Sequence, residues 1–390
     1  MKYIYIVISF FSLLGCVGRN TNGVQSNDLI VIPISSKAYL PFDLSVLSNE
    51  TFYVKLATED SCLVGQIDKM CYVNDHIIIG SDNNTLLFFN KDGAFDHKIC
   101  RQGDGPNEYI HISDFSVDGK KNIVSILDTR KKQLLQYDWY GNFVGATSLD
   151  YWVIGFQPLN DSINILYSGN QISTDNKYKL ALYDSYSHII SDRFYPISPM
   201  KSDYLHMHSA NNFSRYGNEV LFCELYNDTI YSVSSSGCVP LYYIDFGDKK
   251  VPSSFYENKF DNIMEFQNKF SKHDFFYGIN SLVNLSTGFM ASCFIKRKRH
   301  FVYYDKTLQY GVVFKQMTDT MNLGDIVIDA VDHKVDFYSD GGYILMHADN
   351  ELYMQEKDFA LRERWGDVEI EDNPIVRICK LKNNYNSVMK

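Results

Sequence analysis

Short apolar segments recur along the chain, and polar or turn-forming residues separate them. The first clear unit has apolar residues over 73–80 and again over 85–89, followed by the turn Asn-Lys-Asp-Gly at 90–93. Runs of β-branched and aromatic residues between such breaks are typical of strands joined as hairpins. The pattern therefore predicts an all-β fold made from a repeated unit of several strands.

The same unit returns five more times. Its paired apolar segments lie at 123–128 and 133–137, 163–167 and 180–184, 219–222 and 228–233, 288–291 and 300–305, and 340–345 and 374–379. The residues before the first five turns are 48, 46, 50 and 71 positions apart, counted through Phe89, Tyr137, Tyr183, Val233 and Tyr304. A period of about 40 to 50 residues indicates propeller blades. The sequence thus predicts a six-bladed β-propeller of four-stranded blades.

A propeller avoids open sheet edges by closing its ring of blades. The apolar segment 30–34 lies near the start of the chain, and a second apolar segment, 375–380, lies near its end. We therefore predict that these two segments pair with each other and complete the last blade.

Two longer intervals predict short helical insertions in the propeller. Ser254 precedes Glu257 by three residues, as in a capping box. The aromatic and aliphatic residues behind this pair recur at helical spacing, at Tyr256, Phe260, Ile263, Met264 and Phe270. A weaker helical pattern covers residues 350–365. Both insertions fit packed additions to the propeller or surfaces for a partner.

The N-terminus has the features of a lipoprotein signal. A mostly apolar run over 3–14 is too short to span a bilayer, and it ends in Leu-Leu-Gly-Cys at 13–16. This tetrapeptide resembles a bacterial lipobox. We predict a signal peptide at 1–15, a lipidated Cys16 with a polar tether over 16–29, and a single propeller domain over 30–390. The alternative is an ordinary signal peptide in which Cys16 is coincidental.

Lipidation would attach the protein to the membrane of the cell envelope. No acidic run that might direct surface export follows Cys16. We therefore predict an outer-membrane lipoprotein that faces the periplasm, with the cell surface as the alternative. No later segment has the roughly 18 consecutive apolar residues of a membrane-spanning helix.

Composition and charge narrow the classes of partner. A net charge of -10 with a pI near 5.5 argues against a nucleic-acid-binding surface. The 29 tyrosines and 26 phenylalanines suit a β-rich protein. Seven cysteines follow Cys16, and none has C-x-x-C spacing. Disulfides between Cys62 and Cys71 or between Cys223 and Cys238 remain open, as do buried free thiols.

The segment 101–109, with the sequence RQGDGPNEY, is the most unusual stretch of the chain. Its two glycines allow a tight turn, and its proline restricts the backbone. Polar residues at both ends can clamp the turn by a charge-assisted hydrogen bond. We predict a structural connector between two units, formed by Arg101, Gly103, Gly105, Pro106, Glu108 and Tyr109.

With these repeats and this connector, the chain resembles the six-bladed β-propeller lipoproteins of anaerobic gut bacteria, which share the shape of NHL-repeat propellers. The resemblance covers roughly residues 50–382 and rests on segments 63–69, 101–109 and 373–382. The chain departs from it at Cys100 and Asn107, where the family generally has glycine. The resemblance implies the fold and export. It implies no shared reaction, so no catalytic residue is carried over.

Metal-ligating residue types occur in two places. His206 and His208 would share one face of a strand, and Asp329, Asp332 and His333 lie close together in the sequence. By analogy with propeller enzymes, the second group would lie at the mouth of the central channel. The alternatives are solvent-facing or core histidines and ordinary loop acids. No cofactor is otherwise predicted.

Aromatic residues in turns offer a stronger argument for binding than the charged residues do for catalysis. The candidates are Tyr109, Trp139, Tyr140 and Trp152, with packing between blades as the alternative. The sequence contains no recognisable catalytic set. It therefore favours a non-enzymatic binding or scaffold module for a protein, peptide or glycan. The competing hypothesis is a propeller hydrolase or lyase with a metal ion in the central channel.

Overall fold

The computed structural model describes residues 29–34, 41–206, 211–295, 298–320, 327–329, 336–340, 342–348, 350, 366 and 368–382. The elements of these residues are mainly β-strands with a few short helices. The predicted all-β propeller with four-stranded blades is therefore confirmed.

The strands of the first half of the chain are β1 (Ile30–Pro33), β2 (Phe42–Asp43), β3 (Ser48–Lys55), β4 (Ile67–Val73), β5 (His76–Ser81), β6 (Thr85–Asn90), β7 (Phe95–Ile99), β8 (Asp114–Asp118), β9 (Ile123–Asp128), β10 (Gln133–Asp138), β11 (Phe143–Ser148), β12 (Gly155–Pro158), β13 (Ile163–Tyr167), β14 (Tyr178–Asp184) and β15 (Ile189–Pro196). Those of the second half are β16 (Phe213–Tyr216), β17 (Glu219–Phe222), β18 (Thr229–Ser234), β19 (Gly237–Asp245), β20 (Phe276–Leu285), β21 (Gly288–Ile295), β22 (Lys298–Asp305), β23 (Tyr310–Phe314), β24 (Gln316–Thr318), β25 (Val327–Asp329), β26 (Asp336–Asp340), β27 (Tyr343–His347) and β28 (Ile375–Leu381). The α-helices are α1 (Pro199–Tyr204), α2 (Ser253–Tyr256) and α3 (Ile263–Phe270), and short 3-10 helices cover Leu44–Val46 and Gly247–Lys249.

These strands form seven sheets in the described part of the chain, so the predicted count of six blades is wrong. We number the sheets as blades: β4–β7 is blade 1, β8–β11 blade 2, β12–β15 blade 3, β16–β19 with β1 blade 4, β20–β23 blade 5, β2 with β24 and β25 blade 6, and β26–β28 with β3 blade 7. Among the described residues, blade 6 has three short strands, which come from two distant parts of the chain, and no sequence repeat marks it. The first strands of blades 5 and 7 contact each other directly.

The strand that closes the ring is β3 and not the predicted segment 30–34. β3 pairs antiparallel with β28, so blade 7 combines strands from both ends of the chain. β1 instead pairs in parallel with β19, as a fifth strand of blade 4. The apolar face of β1 explains this position, because Ile32 is buried against the core between blades 4 and 5 while Val31 is 55% exposed.

Most blades are covered on both faces by their neighbours. Ile77, Ile78 and Ile79 of β5 are therefore all fully buried, although successive strand residues point to opposite faces. This arrangement explains why the inner strands appear in the sequence as continuous apolar runs.

The helical insertion after blade 4 is confirmed, but its main helix begins at Ile263 and not at Ser254. α2 has four residues and no side-chain cap. The capping residue of α3 is Asn262, whose side chain accepts the Glu265 N–H, while the Glu265 carboxylate accepts the Asp261 N–H at 2.7 Å. Phe266 on α3 is fully buried. The second predicted helix, at 350–365, lies outside the described residues except for Asn350.

The described helices include none that is long and apolar enough to cross a membrane. No described cysteine forms a disulfide, and six of the seven are buried. Cys62, Cys71, Cys223 and Cys238 are therefore buried free thiols and do not form the disulfides considered above.

Candidate functional site

A pocket of about 650 Å³ lies where blades 3 and 4 meet the helical insertions, and we call it the blade 4 pocket. Side chains of β14, α1, the loop between β17 and β18, and the segment after β19 line it. Its charged and amide side chains are those of Lys179, Lys201, Glu224, Asn227, Asp228 and Lys250.

The pocket is built on an unusual backbone. Tyr195 and Tyr226 both have positive φ angles, of 57° and 64°, in the left-handed region that large residues rarely occupy. The turn after Tyr226 is held by the Asn227 side chain, which accepts the Thr229 N–H at 3.0 Å. Strained backbone of this kind is concentrated at functional sites, and here it places two tyrosines in one pocket wall.

A buried ion pair lies within this pocket. The Lys179 ammonium donates to the Glu224 carboxylate at 2.8 Å, and the two side chains are 13% and 7% exposed. Glu224 also accepts hydrogen bonds from the side-chain amide of Asn227 at 3.0 Å and from the Tyr167 hydroxyl at 3.4 Å. Buried charges are stable when they are paired and hydrogen-bonded in this way. Lys179 and Glu224 therefore satisfy each other.

Tyrosine rings form much of the wall. The rings of Tyr195 and Tyr231 are 4.6 Å apart between centroids, and the Tyr231 hydroxyl accepts a hydrogen bond from Asn227 at 3.1 Å. Tyr226, Tyr243 and Tyr256 complete the set. Burial raises the pKa of Tyr195, Tyr231 and Tyr256, so these phenols stay neutral. Such rings present an apolar face and a hydrogen-bonding edge to a ligand.

Two further lysines lie over tyrosine faces. The Lys201 ammonium is 4.3 Å from the ring centroid of Tyr256, and the Lys250 ammonium is 4.9 Å from that of Tyr243. Neither lysine forms an ion pair with a carboxylate among the described residues. Burial lowers the pKa of Lys201. Both cations are thus held by aromatic rings in an otherwise polar pocket.

Asp228 is the second carboxylate of the pocket. Burial raises its pKa to about 6, although Lys250 and Lys201 act in the opposite direction. Asp245 on β19 adds to the increase. Since its pKa lies near neutrality, Asp228 changes charge over a mildly acidic range, and the charge of the pocket changes with it.

Two other cavities have similar volumes. One of about 630 Å³ lies beside blade 6 and has a mainly apolar lining that includes Phe42 and Phe314. Another, of about 610 Å³, lies at the edge of blade 7. Neither contains a buried ion pair among the described residues. The blade 4 pocket is therefore the best candidate for binding a polar ligand.

The family model described as "Domain of unknown function (DUF4934)" matches residues 29–380. The chain belongs to the DUF4934 family. A search of curated proteins found no match to this DUF4934 chain.

Two solved structures share its fold. A "putative exported protein" of Bacteroides fragilis superposes with a TM-score of 0.71 at 21% identity, covering 91% of this chain and 100% of its own. A member of the DUF4221 family from Bacteroides vulgatus superposes with a TM-score of 0.54 at 9% identity, covering 86% and 98%. At such low identity, the two structures support the propeller fold alone. The NHL-like resemblance has no support from them.

In this DUF4934 chain, the predicted connector 101–109 joins blade 1 to blade 2. Tyr109 is fully buried, and its hydroxyl accepts the Arg101 N–H at 3.0 Å and donates to the Asn84 carbonyl at 2.8 Å. The Arg101 guanidinium donates to the Gly141 carbonyl at 3.2 Å, in the neighbouring blade. The hydroxyl of Tyr109 and the backbone of Arg101 therefore hold the two ends of the segment together.

The turn inside the connector uses its glycines and its glutamate. The Glu108 carboxylate accepts the Gly105 N–H at 2.9 Å, and a Cβ at Gly103 would lie only 2.0 Å from the same carboxylate. Pro106 lies between these residues in the same turn. Lys131 of blade 2 donates to the carbonyl oxygens of Gly105 and Glu108, at 2.7 and 2.9 Å.

The predicted metal ligands are separated or lie outside the described residues. Asp329 is in β25, where its carboxylate is 3.7 Å from the Lys315 ammonium, and His206 follows α1. His208, Asp332 and His333 are outside the described residues, as is Cys16. The described part of the chain contains no group of three or more His, Cys, Asp or Glu suited to a metal ion.

The turn aromatics differ in exposure. Tyr109 and Trp139 are buried between blades 1 and 2, which is the packing alternative stated above. Tyr140 is 73% exposed, and Trp152 is partly buried. None of the four lines the blade 4 pocket.

Proposed function

We propose that this chain is an exported, lipid-anchored propeller that binds a polar ligand in the blade 4 pocket, as a binding or scaffold module for a protein, peptide or glycan. The observation that carries the proposal is the pocket itself, in which a buried ion pair adjoins a wall of tyrosines. Pockets with aromatic walls and a few convergent polar groups are the usual form of ligand sites.

Binding by the pocket can be tested with arrays of immobilised polysaccharides and peptides. The protein used in this test starts at residue 17, so it includes every described residue. We expect the wild type to be retained on at least one ligand and Tyr231→Ala to lose about tenfold or more in affinity, because it removes one face of the pocket. Tyr186→Ala is the matched control, since Tyr186 is 74% exposed and does not line the pocket.

Thermal unfolding of both variants separates a binding defect from a folding defect. A Tyr231→Ala protein that is folded and binds as well as Tyr186→Ala would contradict the assignment of the pocket. Failure of the wild type to bind any carbohydrate or peptide on the arrays would contradict the proposed function as a whole.

The anchor rests on Cys16 and its lipobox, and the description of the Bacteroides fragilis structure as an exported protein supports export. We expect the full chain, expressed in a Gram-negative host, to incorporate an alkyne-tagged fatty acid and to fractionate with the outer membrane. Cys16→Ala should remove the label completely. Protease added to intact cells should leave the wild type uncut if the protein faces the periplasm. Cleavage of the protein would instead place it on the cell surface. An unlabelled wild type would contradict the anchor.

A hydrolase or lyase is the second candidate. It is favoured by Asp228, whose pKa of about 6 is typical of acid–base catalysts, in the same pocket as Glu224 and Lys201. The channel-metal form of this hypothesis uses Asp329, Asp332 or His333, with His206 as a further candidate ligand. Release of reducing ends or of unsaturated products from a bound polysaccharide, lost in Asp228→Asn, would establish the enzyme. A bound polysaccharide that stays intact would exclude its turnover by this protein.

A further inference from the structure

We propose that the ligand of the blade 4 pocket is an acidic glycan, and that Lys201 and Lys250 bind the carboxylate of a hexuronic acid residue. This inference rests on the proposed function and adds the chemical class of the ligand. It concerns the part of the pocket between α1 and the segment after β19.

The blade 4 pocket has an excess of positive charge. Three lysines and two carboxylates line it, so one positive charge is left when all five are ionised. The chain as a whole has a net charge of -10. A local excess of positive charge in a strongly acidic protein attracts an anionic group.

The three lysines of the pocket differ in their availability to a ligand. Lys179 is bound to Glu224, which also accepts hydrogen bonds from Asn227 and Tyr167. Lys201 and Lys250 instead rest on the rings of Tyr256 and Tyr243. Aromatic faces stabilise an ammonium group without using its full capacity as a donor. These two lysines therefore keep N–H groups for a ligand carboxylate.

The tyrosines favour a sugar over an acidic peptide. The C–H faces of a pyranose ring are apolar, and its hydroxyl groups lie around the edge. This pattern matches rings such as Tyr231 and Tyr195, which offer an apolar face and a polar edge. Thr229 lines the same pocket, and its hydroxyl suits a sugar hydroxyl group. A carboxylated sugar thus satisfies both the rings and the lysines.

Asp228 gives the site a dependence on pH. Lys201, Lys250 and Asp245 act on this carboxylate, and the pair of Glu224 with Lys179 lies in the same pocket. When pH falls from 7 to 5, Asp228 gains a proton and its negative charge beside the two lysines disappears. Uronic carboxylates stay ionised over most of this range, since carboxylic acids titrate near pH 4. Affinity for an acidic sugar should therefore increase severalfold as pH falls.

The test compares oligomers of galacturonate and of mannuronate with their methyl esters, which have the same rings without the charge. Binding is measured by titration calorimetry on the protein from residue 17. We expect the acid of at least one pair to bind about tenfold or more tightly than its ester at pH 7, as charge-assisted hydrogen bonds imply. Lys201→Met with Lys250→Met should abolish this difference, and Lys298→Met, in blade 5, should preserve it. Asp228→Asn should remove the pH dependence.

Three other results would overturn the inference. Equal binding of acid and ester overturns the inference and leaves the binding function intact. Tighter binding of an acidic peptide such as oligoglutamate than of any uronate overturns the choice of a glycan. Failure of both uronate series, in a protein that binds another ligand on the arrays, overturns the inference alone.

Discussion

The Gly93→Ala variant should lose about 3 kcal/mol of unfolding free energy, because Gly93 lies at the contact between the first blade and the closing strand. Its φ angle is +87°, a conformation that costs other residues about 1–2 kcal/mol. A Cβ at this position would also lie 2.1 Å from the Lys55 carbonyl oxygen, so the backbone of β3 would have to move. The Gly93 carbonyl accepts the Ala57 N–H at 2.8 Å, and this bond would be disturbed as well.

Urea unfolding followed by tryptophan fluorescence measures the loss, and Gly145→Ala is the matched control. A Cβ at Gly145 would meet no atom within 4 Å, so this substitution should change the unfolding free energy by less than about 1 kcal/mol. If Gly93→Ala is as stable as Gly145→Ala, the closure of blade 7 against blade 1 is not as described.

The Asp319→Ala variant should be destabilised by about 3–5 kcal/mol, because it leaves a buried charge without its partner. The side chains of Asp319 and Arg377 are 0% and 2% exposed, and their charged atoms are 3.6 Å apart. Asp319 also accepts a hydrogen bond from the Tyr53 hydroxyl at 2.8 Å, and the Arg377 guanidinium lies 4.5 Å from the Tyr53 ring centroid. Removing the carboxylate therefore leaves the guanidinium without its counter-charge and removes one acceptor of the Tyr53 hydroxyl.

A double-variant cycle tests this explanation. Asp319→Leu combined with Arg377→Met removes both charges and should recover most of the stability. The control is Glu50→Ala, which breaks the exposed pair of Lys380 with Glu50, at 50% and 51% exposure, and should cost less than about 1 kcal/mol. Equal effects of Asp319→Ala and Glu50→Ala would show that the buried pair is not stabilising.

Most strands were predictable because the blades other than blade 6 repeat the same apolar pattern. The predicted segments at 123–128 and 163–167 coincide with β9 and β13. The pattern cannot distinguish which strand edge an isolated apolar segment joins, since β1 and β3 both have a side that can be buried. Tertiary packing decides this, and it places β3 beside β28 and β1 beside β19.

The blade 4 pocket was not predicted from the sequence, because its side chains come from separate elements of two blades and two helices. One signal was present. Lys179 and Glu224 are 45 residues apart, as are the paired Lys69 and Asp114 of blades 1 and 2. Opposite charges separated by one blade period can meet across neighbouring blades, so this spacing could have pointed to both pairs. No comparable spacing in the sequence indicates that Lys201 and Lys250 lie over the rings of Tyr256 and Tyr243.

The central claim is that the blade 4 pocket binds the ligand, and hydrogen exchange measured by mass spectrometry tests it most directly. The protein from residue 17 would be compared with and without the ligand that it binds most tightly on the arrays. We predict that protection is concentrated in peptides covering 195–204, 224–231 and 250–256, and that it is absent with Tyr231→Ala. Protection confined to the connector or to blade 6 would contradict the claim.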